Sequence, residues 1–148
     1  FEGEEGVTAW IAERRAEAGR IEFALMHCEY GFAGIVSAHR IGESAFFHIW
    51  IGADFQGRGL AHPAIRLMCA QLGRLGVSRV LTAAYPDNFR SMHTLVRAGF
   101  EAMPERAQPP EEKMVFFCLG LGRDEKRGGC NAAALRDYCA HSDGVFVF

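Results

Sequence analysis

The feature that most constrains the fold is a strand-like stretch that runs into a glycine-rich turn and then into a helix-like stretch. Residues 45–55 are largely apolar, residues 56–61 read QGRGLA, and apolar residues recur at helical spacing from Leu60 to Leu75. Such a turn leaves the first N–H groups of the helix without partners, and the helix dipole adds positive potential there. Because glycines let a ligand approach the backbone, this arrangement favours binding of a phosphate or pyrophosphate.

The turn differs from two common phosphate-binding motifs. It lacks the GxxxxGK[ST] of a P-loop and the GxGxxG of a dinucleotide-binding fold, which disfavours a nicotinamide enzyme. Arg58 adds a cation between the glycines. A short glycine motif at a helix N-terminus can also bind only water, so its meaning depends on the rest of the chain.

The segments around the turn predict a mixed sheet. Upstream, strand-like segments at 21–28, 32–41 and 45–55 are joined by short turns, which predicts an antiparallel meander. Downstream, further strands are predicted at 77–85 and 114–121. With a helix between each pair of strands from residue 45 onward, the order predicts an α/β (α+β) fold with a partly parallel, mostly antiparallel sheet and flanking helices.

Helices are predicted at two further places. Residues 4–18 have apolar residues at helical spacing, with Gly19 as a possible cap. A short helix with Asp87 or Asn88 as its N-cap ends at Gly99. Pro63 sits in the first turn of the helix that follows the glycines, where its missing N–H does no harm.

Composition limits the class of protein. A chain of 148 residues is enough for one domain, and 16 Lys and Arg against 18 Asp and Glu give a net charge of −2. This balance argues against a nucleic-acid or membrane-surface partner. No apolar run is long enough to cross a membrane, and no signal peptide is visible, so we expect a cytoplasmic protein.

The cysteines predict neither a disulfide framework nor a metal site. Their number is odd, and no CxxC occurs, so we interpret them as reduced thiols, mostly buried. They are Cys28, Cys69, Cys118, Cys130 and Cys139. Cys130, Cys139 and His141 lack a convincing fourth ligand, so no metal is expected.

Two motifs together resemble a known family. QxxGxA at 56–61 resembles motif A, [RQ]xxGx[GA], of the GCN5-related N-acetyltransferases, whose amides hold the pyrophosphate of acetyl-CoA. Residues 88–91, NFRS, and 97–100, RAGF, are similar to motif B. IWIGADFQGRGLA also resembles the branch of ribosomal-protein alanine acetyltransferases. The resemblance covers about residues 20–121 and implies an acetyl-CoA-dependent N-acetyltransferase.

The resemblance implies a set of cofactor contacts. The strand before motif A would run along the pantetheine arm, with Gly52 at a β-bulge, and motif B would reach the arm and the phosphates. The implied residues are Trp50, Ile51, Gly52, Gln56, Gly57, Arg58, Gly59, Leu60, Ala61, Asn88, Arg90 and Ser91. Trp50 could instead pack in the core, Asn88 and Ser91 could only cap a helix, and Arg90 could be a solvated surface residue.

The catalytic residues that the family often uses are missing. Many relatives have a Glu on the strand before motif A and a Tyr in the motif B helix, whereas this strand reads AFFHIWI and Leu95 occupies the tyrosine position. His48 is the best substitute base, although it could simply pack in the sheet. Ser91 could donate the proton. Weaker candidates are Glu29, Glu43, Glu101 and His27, and proximity alone could also supply much of the rate.

The two ends of the chain depart from the family pattern. Residues 1–122 correspond to the acetyltransferase core without its usual first strand and helix, and residues 123–148 predict a helix and strand extension. The extension could fill the missing place by circular permutation, which requires Phe1 and Phe148 to lie close together. It could also be exchanged within a homodimer, or be an appendage.

The sequence therefore supports two functions. The first is transfer of an acetyl group from acetyl-CoA to a primary amine of a protein N-terminus, an amino acid, a polyamine or an antibiotic. The second is a non-catalytic CoA-binding or sensor module, which the missing Glu and Tyr favour.

Overall fold

The computed structural model describes residue 9, residues 19–103 and residues 114–122. The predicted helix at 4–18, the extension at 123–148 and the two chain ends lie outside these residues. The elements, in chain order, are β1 Arg20–His27, β2 Gly31–Ile41, β3 Ser44–Ile51, a 3₁₀ turn Ala53–Phe55, α1 Ala61–Arg74, β4 Arg79–Ala84, α2 Phe89–Arg97, β5 Glu101–Ala102 and β6 Val115–Gly120.

The sheet has the mixed character that the sequence predicts. Its described strands have the order β1-β2-β3-β4-β6-β5; among them β3 and β4 are parallel, and the other neighbours are antiparallel. The five strands predicted between residues 21 and 121 are present as β1, β2, β3, β4 and β6, with ends that differ by a few residues, and the strand predicted in the extension lies outside the described residues. The two-residue strand β5 was not predicted, because its sequence is too short to show alternation.

The two helices pack on one face of the sheet. The buried residues of α1 are Ala64, Ile65, Met68, Cys69 and Leu72, and they form one core cluster with Val36, Phe47, Val80, Leu95 and Phe117 among others. Alternating residues of the same strands form a second cluster on the opposite face, which includes Phe46, Leu81, Phe116 and Cys118. Burial of both faces explains why β4 is almost wholly apolar.

Glycines end both helices, as predicted. Gly76 follows α1 with φ of 83°, and Gly99 follows α2 with φ of 94°. This left-handed conformation costs glycine little, because it has no Cβ.

The predicted bulge at Gly52 is wrong. The ladder between β2 and β3 is regular up to Ile51, and Gly52 lies just beyond β3. The irregularity instead lies between β1 and β2, where Leu25 pairs with Gly34 and Met26 pairs with Phe32, which leaves Ala33 as the extra residue. Glycine alone does not identify a bulge, because an extra residue in the ladder depends on the partner strand.

The cysteines differ in state. Cys28 is a free, exposed thiol and Cys69 a free, buried one, whereas Cys118 is disulfide-bonded. The prediction of reduced thiols is therefore wrong at Cys118, since sequence spacing does not reveal which cysteines meet in space.

Across residues 19–103 and 114–122, no helix is long and apolar enough to span a bilayer.

Candidate active site

The sheet opens between its two parallel strands. Pairing of β3 with β4 covers only Ser44–Phe46 against Arg79–Leu81, although β3 continues to Ile51 and β4 to Ala84. Beyond Phe46 the two strands diverge. The unpaired stretch between β3 and β4, here called the opening, lies at the carboxyl ends of both strands, where α/β sheets commonly bind ligands.

A buried threonine marks the point where the strands separate. Thr82 Oγ1 donates to the carbonyl oxygen of Phe47 at 3.0 Å, one residue beyond the last parallel pair. Thr82 and Phe47 are both buried. This bond satisfies a carbonyl that the ladder no longer reaches, so the opening leaves no unpaired acceptor at its base.

The end of β3 presents backbone groups to this opening. Gly52 N donates to the oxygen of Ala33 in β2 at 2.9 Å. Because successive residues of a strand point their N–H and C=O groups to alternate sides, those of Ile51 point away from β2. The Ile51 oxygen accepts from Gln56 Nε2 at 3.0 Å, which leaves the Ile51 N–H for a ligand in the opening.

The glycine-rich turn begins where β3 ends. Gly57 and Gly59 have φ of 75° and 76°, a conformation that side chains disfavour. The backbone amides of residues 57–62 donate to no described residue, and the first bond of α1 runs from Ala64 N to Leu60 O at 3.3 Å. No acidic residue lies in the first turn of α1, so the positive end of its dipole is uncompensated.

Gln56 supports the turn from within. Its side chain returns to the carbonyl of Ile51, five residues earlier, and so ties the turn to the end of β3. This bond fixes the position of the turn relative to the end of β3.

Two arginines flank the turn. Arg58 lies between the two left-handed glycines, and Arg90 comes from the first turn of α2. Arg90 Nη1 lies 3.9 Å from the point where a Cβ on Gly57 would sit. Both side chains are exposed, so the structure brings two cations to the unpaired amides from different elements.

Asn88 caps α2. Its Oδ1 accepts from the backbone N–H of Ser91 at 3.1 Å, and this confirms the capping alternative for Asn88. Ser91 is partly buried. The first turn of α2 therefore carries Asn88, Arg90 and Ser91 together, as the sequence predicts.

Trp50 is not a core residue. Its side chain is 58% exposed and stacks on Phe32, with the ring centroids 6.3 Å apart. A large exposed aromatic pair at the end of β3 is available to contact a ligand, so the core alternative is wrong.

His48 lies on β3 beyond the point of separation. Burial, and to a smaller extent the positive charge of Arg20, lower the pKa of His48 from 6.5 to about 4. Its ring lies 5.0 Å from that of Phe46, on the face opposite the helices. At neutral pH the imidazole is uncharged and has a nitrogen lone pair, but its affinity for a proton is low.

The weaker candidates are less favourably placed. Glu43 lies in the turn before β3, at the opposite end of that strand from Ile51, and Glu29 lies in the turn between β1 and β2. Glu101 is exposed on β5. Leu95, at the position where relatives have tyrosine, is buried in the core on the helix side of the sheet.

Comparison of the chain with protein-family models identifies its family. The model of the Acetyltransferase (GNAT) domain matches residues 2–101, which is more than half of the chain. The chain belongs to the GNAT acetyltransferase family. GNAT acetyltransferases take their acetyl group from acetyl-CoA. The match does not distinguish branches, so the resemblance to ribosomal-protein alanine acetyltransferases stays a prediction.

Solved structures share the GNAT fold. Spermidine N-acetyltransferase from Vibrio cholerae, in complex with CoA and spermine, superposes with a TM-score of 0.68 at 17% identity over 81% of this chain and 76% of that chain. A dodecameric, intermediate-state structure of that enzyme gives 0.65 at 16% identity, over 81% and 75% of the two chains. A domain from Methanocaldococcus jannaschii gives 0.63 at 16%, over 82% and 77%. Curated protein sequences give no match.

The residues at the opening of this GNAT domain fit acetyl-CoA. A pyrophosphate needs several convergent donors, and the amides of 57–62 have no partner among the described residues. The pantetheine arm contains amides, which can pair with the free edge of β3 beyond Phe47. Gly57 and Gly59 adopt the positive φ of the turn without strain and place no side chain between the backbone and a ligand.

Sequence reasoning missed several residues that shape this site. Gly34 lets β2 approach the Trp50–Ile51 peptide, since a Cβ there would clash with the Trp50 carbonyl oxygen. Thr82 ends the parallel pairing, and Tyr30 and Phe55 contact Arg58. A glycine inside a strand was a usable signal for close approach, whereas the other contacts join residues far apart in sequence.

Proposed function

We propose that this GNAT domain is an N-acetyltransferase that moves the acetyl group of acetyl-CoA to a primary amine. The observation that carries the proposal is the opening between β3 and β4 beside a turn whose amides, at residues 57–62, donate to no residue in the described part of the chain. The two features lie at the same end of the sheet. A cofactor with a pyrophosphate and a thin arm can therefore occupy both at once.

The proposed contacts follow the order of groups along the cofactor. The amides of the turn, with Arg58 and Arg90, bind the phosphates. Ile51 and Gly52 pair with the amides of the arm, and Trp50 covers it. Asn88 keeps α2 in register with the turn by capping the helix, and Ser91 faces the thiol end of the arm.

The reaction makes one bond and breaks one bond. The neutral amine nitrogen bonds to the thioester carbonyl carbon, the C–S bond breaks, and the amine loses one proton while the sulfur leaves as the thiolate of CoA. An open, pre-formed site supplies rate mainly by holding the two reactants in position. Ser91 is the proposed donor of a proton to that thiolate, which becomes the thiol of CoA, and a proton from solvent restores the Ser91 hydroxyl.

His48 is the proposed proton acceptor, through its uncharged imidazole. With a pKa of about 4, it cannot hold a proton taken from an ammonium group with a pKa of about 10. The ammonium proton of the acceptor is therefore lost to solvent first. His48 then accepts, for a short time, the proton that the neutral amine nitrogen gives up when it bonds to the carbonyl carbon. Activity should accordingly rise with pH as the acceptor deprotonates, without a step near pH 6.5.

The acceptor class is proposed from two likenesses. The solved neighbour with the same fold is a spermidine N-acetyltransferase with bound spermine, which supports a polyamine. The sequence resemblance to ribosomal-protein alanine acetyltransferases supports a protein N-terminus. An amino acid or an amine-bearing antibiotic completes the set of amines to test. A dodecameric neighbour also supports an oligomer, of which a homodimer is the simplest form.

A non-catalytic CoA-binding module is the second candidate. The low proton affinity of His48, and the apolar Leu95 where relatives have tyrosine, are the observations that favour it. It predicts tight binding of CoA with no turnover of any amine.

The first prediction concerns the turn. Saturating acetyl-CoA, at about 100 times its Kd, should stabilise the folded protein by about 2.7 kcal/mol. Gly59→Glu should abolish this gain, because it puts a carboxylate and a strained Cβ at φ of 76° where the phosphates bind. The measurement is thermal unfolding with and without ligand.

The matched control is Gly42→Glu. Gly42 also has a positive φ, of 58°, and open space around its Cβ position, but it lies in the turn before β3, at the far end of that strand. It should keep the full ligand effect. No ligand effect in the parent would contradict the proposed cofactor. Turnover in an amine panel then separates the enzyme from the non-catalytic module.

A further inference from the structure

A cluster of aromatic rings lies beside the cofactor turn. Tyr30 comes from the turn between β1 and β2, and Phe55 comes from the 3₁₀ turn that precedes the glycines. Their ring centroids are 6.4 Å apart. His27 stacks on Tyr30 at 4.9 Å and lies 6.0 Å from Phe55, so three rings meet at one place.

The guanidinium of Arg58 rests on two of these rings. Its central carbon lies 5.7 Å from the centroid of Tyr30 and 5.9 Å from that of Phe55. Both distances lie within the range of a cation–π contact. A residue between two left-handed glycines is thereby held by rings from two other parts of the chain.

These contacts leave the donors of the arginine unused. A cation–π contact acts through the positive charge of the guanidinium and uses none of its N–H groups as hydrogen-bond donors. Arg58 forms no hydrogen bond or ion pair with any residue in the described ranges. Its five N–H donors therefore remain available beside the unpaired amides of residues 57–62.

The hairpin that carries Tyr30 is itself fixed in shape. The backbone N–H of Glu29 donates to His27 Nδ1 at 3.2 Å, and Gly31 turns the chain with φ of 78°. The stack of His27 on Tyr30 then sets the direction of the tyrosine ring. Tyr30 is 62% exposed, so its ring supports Arg58 without being part of the core.

We propose that the hairpin between β1 and β2 holds Arg58 as a phosphate-binding group, with Tyr30 and Phe55 as positioning residues for the cofactor. An exposed arginine that moves freely must lose side-chain entropy when it binds a phosphate. The rings restrict Arg58 before the ligand arrives, so less is lost on binding. This inference rests on the proposed function, because it concerns the same cofactor turn.

The test is a double-mutant cycle in the full chain, read as the Kd for CoA by titration calorimetry. Tyr30→Leu should raise the Kd about two- to fivefold, the range expected for an exposed cation–π contact. Tyr30→Phe keeps the ring and should restore the parent value. Arg58→Ala should raise the Kd about tenfold, as for a lost charge-assisted hydrogen bond. Tyr30→Leu should then have less than about a 1.5-fold effect in the Arg58→Ala background.

The cycle separates positioning from a structural role. An equal rise from Tyr30→Leu with and without Arg58, or the same loss in Tyr30→Phe, would overturn the proposal while the parent still bound CoA and the proposed function stood. A parent that bound no CoA would overturn both. The proposal is supported if Tyr30→Leu raises the Kd for CoA only when Arg58 is present and Tyr30→Phe does not raise it.

Discussion

The absence of a Cβ atom at a glycine determines how closely β2 and β3 approach each other next to the cofactor opening. Gly34 in β2 and Gly73 in α1 are both glycines inside regular elements, but their surroundings differ. A Cβ on Gly34 would meet backbone atoms of Trp50 and Ile51, whereas a Cβ on Gly73 would meet only the side chain of Leu121 at 3.8 Å. The same missing methyl group is therefore essential at one position and unfavourable at the other.

A pair of alanine substitutions tests this difference. Gly34→Ala should lower the free energy of unfolding by about 2–3 kcal/mol, because β2 and the end of β3 must separate. Gly73→Ala should raise it by about 0.5–1 kcal/mol, because alanine favours the helix and its Cβ has room. Chemical denaturation measures both. Equal changes in the two variants would show that the close approach at Gly34 does not limit stability.

At the scale of elements, the separation of β3 from β4 depends on a side chain. Thr82 takes over the carbonyl of Phe47 at the point where backbone pairing stops. Thr94 in α2 makes a similar bond, from its hydroxyl to the Arg90 oxygen at 2.8 Å, but at an exposed site. The two threonines thus make the same chemical contact in different surroundings.

Valine substitutions compare these two threonines. Thr82→Val should destabilise the protein by about 1–3 kcal/mol, because it leaves the Phe47 carbonyl buried without a donor. Thr94→Val should change stability by less than about 0.5 kcal/mol, because water can replace the lost bond. Urea unfolding of both variants is the measurement. A loss at Thr94 as large as that at Thr82 would contradict the role of burial.

Most elements could be predicted from the sequence, because their signals are local. The apolar spacing of α1, its proline and Gly76, and the cap at Asn88 each indicate an element boundary within a few residues. The parallel pairing followed from the helix between β3 and β4. The extra residue at Ala33, the short length of the parallel pairing and the contacts of Arg58 depend on partners distant in sequence, which periodicity does not reveal.

At the scale of the whole molecule, one histidine couples folding to pH. The pKa of His48 is about 4 in the folded protein and 6.5 in the unfolded chain, chiefly because of burial. Between these pH values the unfolded chain binds a proton that the folded protein does not. Stability from this source is therefore complete above pH 6.5 and is lost as the pH falls toward 4.

The prediction is a pH-dependent difference from a variant. Between pH 7.5 and 4.5, the parent should lose about 2–3 kcal/mol more unfolding free energy than His48→Gln, which cannot take up the proton. Denaturation at the two pH values, on both proteins, measures the difference. Equal losses would mean that the histidine is protonated in the folded state at pH 4.5.

The glycine-rich turn before α1 is the part of the candidate site that could be predicted from the sequence. Glycines before a helix predict amides without backbone partners, and the amides of 57–62 donate to no residue in the ranges that the structure describes. The surroundings of His48 could not be predicted, because its proton affinity depends on burial and on Arg20 in another strand.

The three-pair contact between β3 and β4 has a mechanical consequence. The sheet consists of two three-stranded panels, β1-β2-β3 and β4-β6-β5, and the described strands join across a seam of only three residue pairs. A molecule bound in the opening would contact both panels and stabilise their association beyond the three paired residues. The proposed cofactor would then hold the two panels together as well as react, and their association would weaken and strengthen once in each turnover.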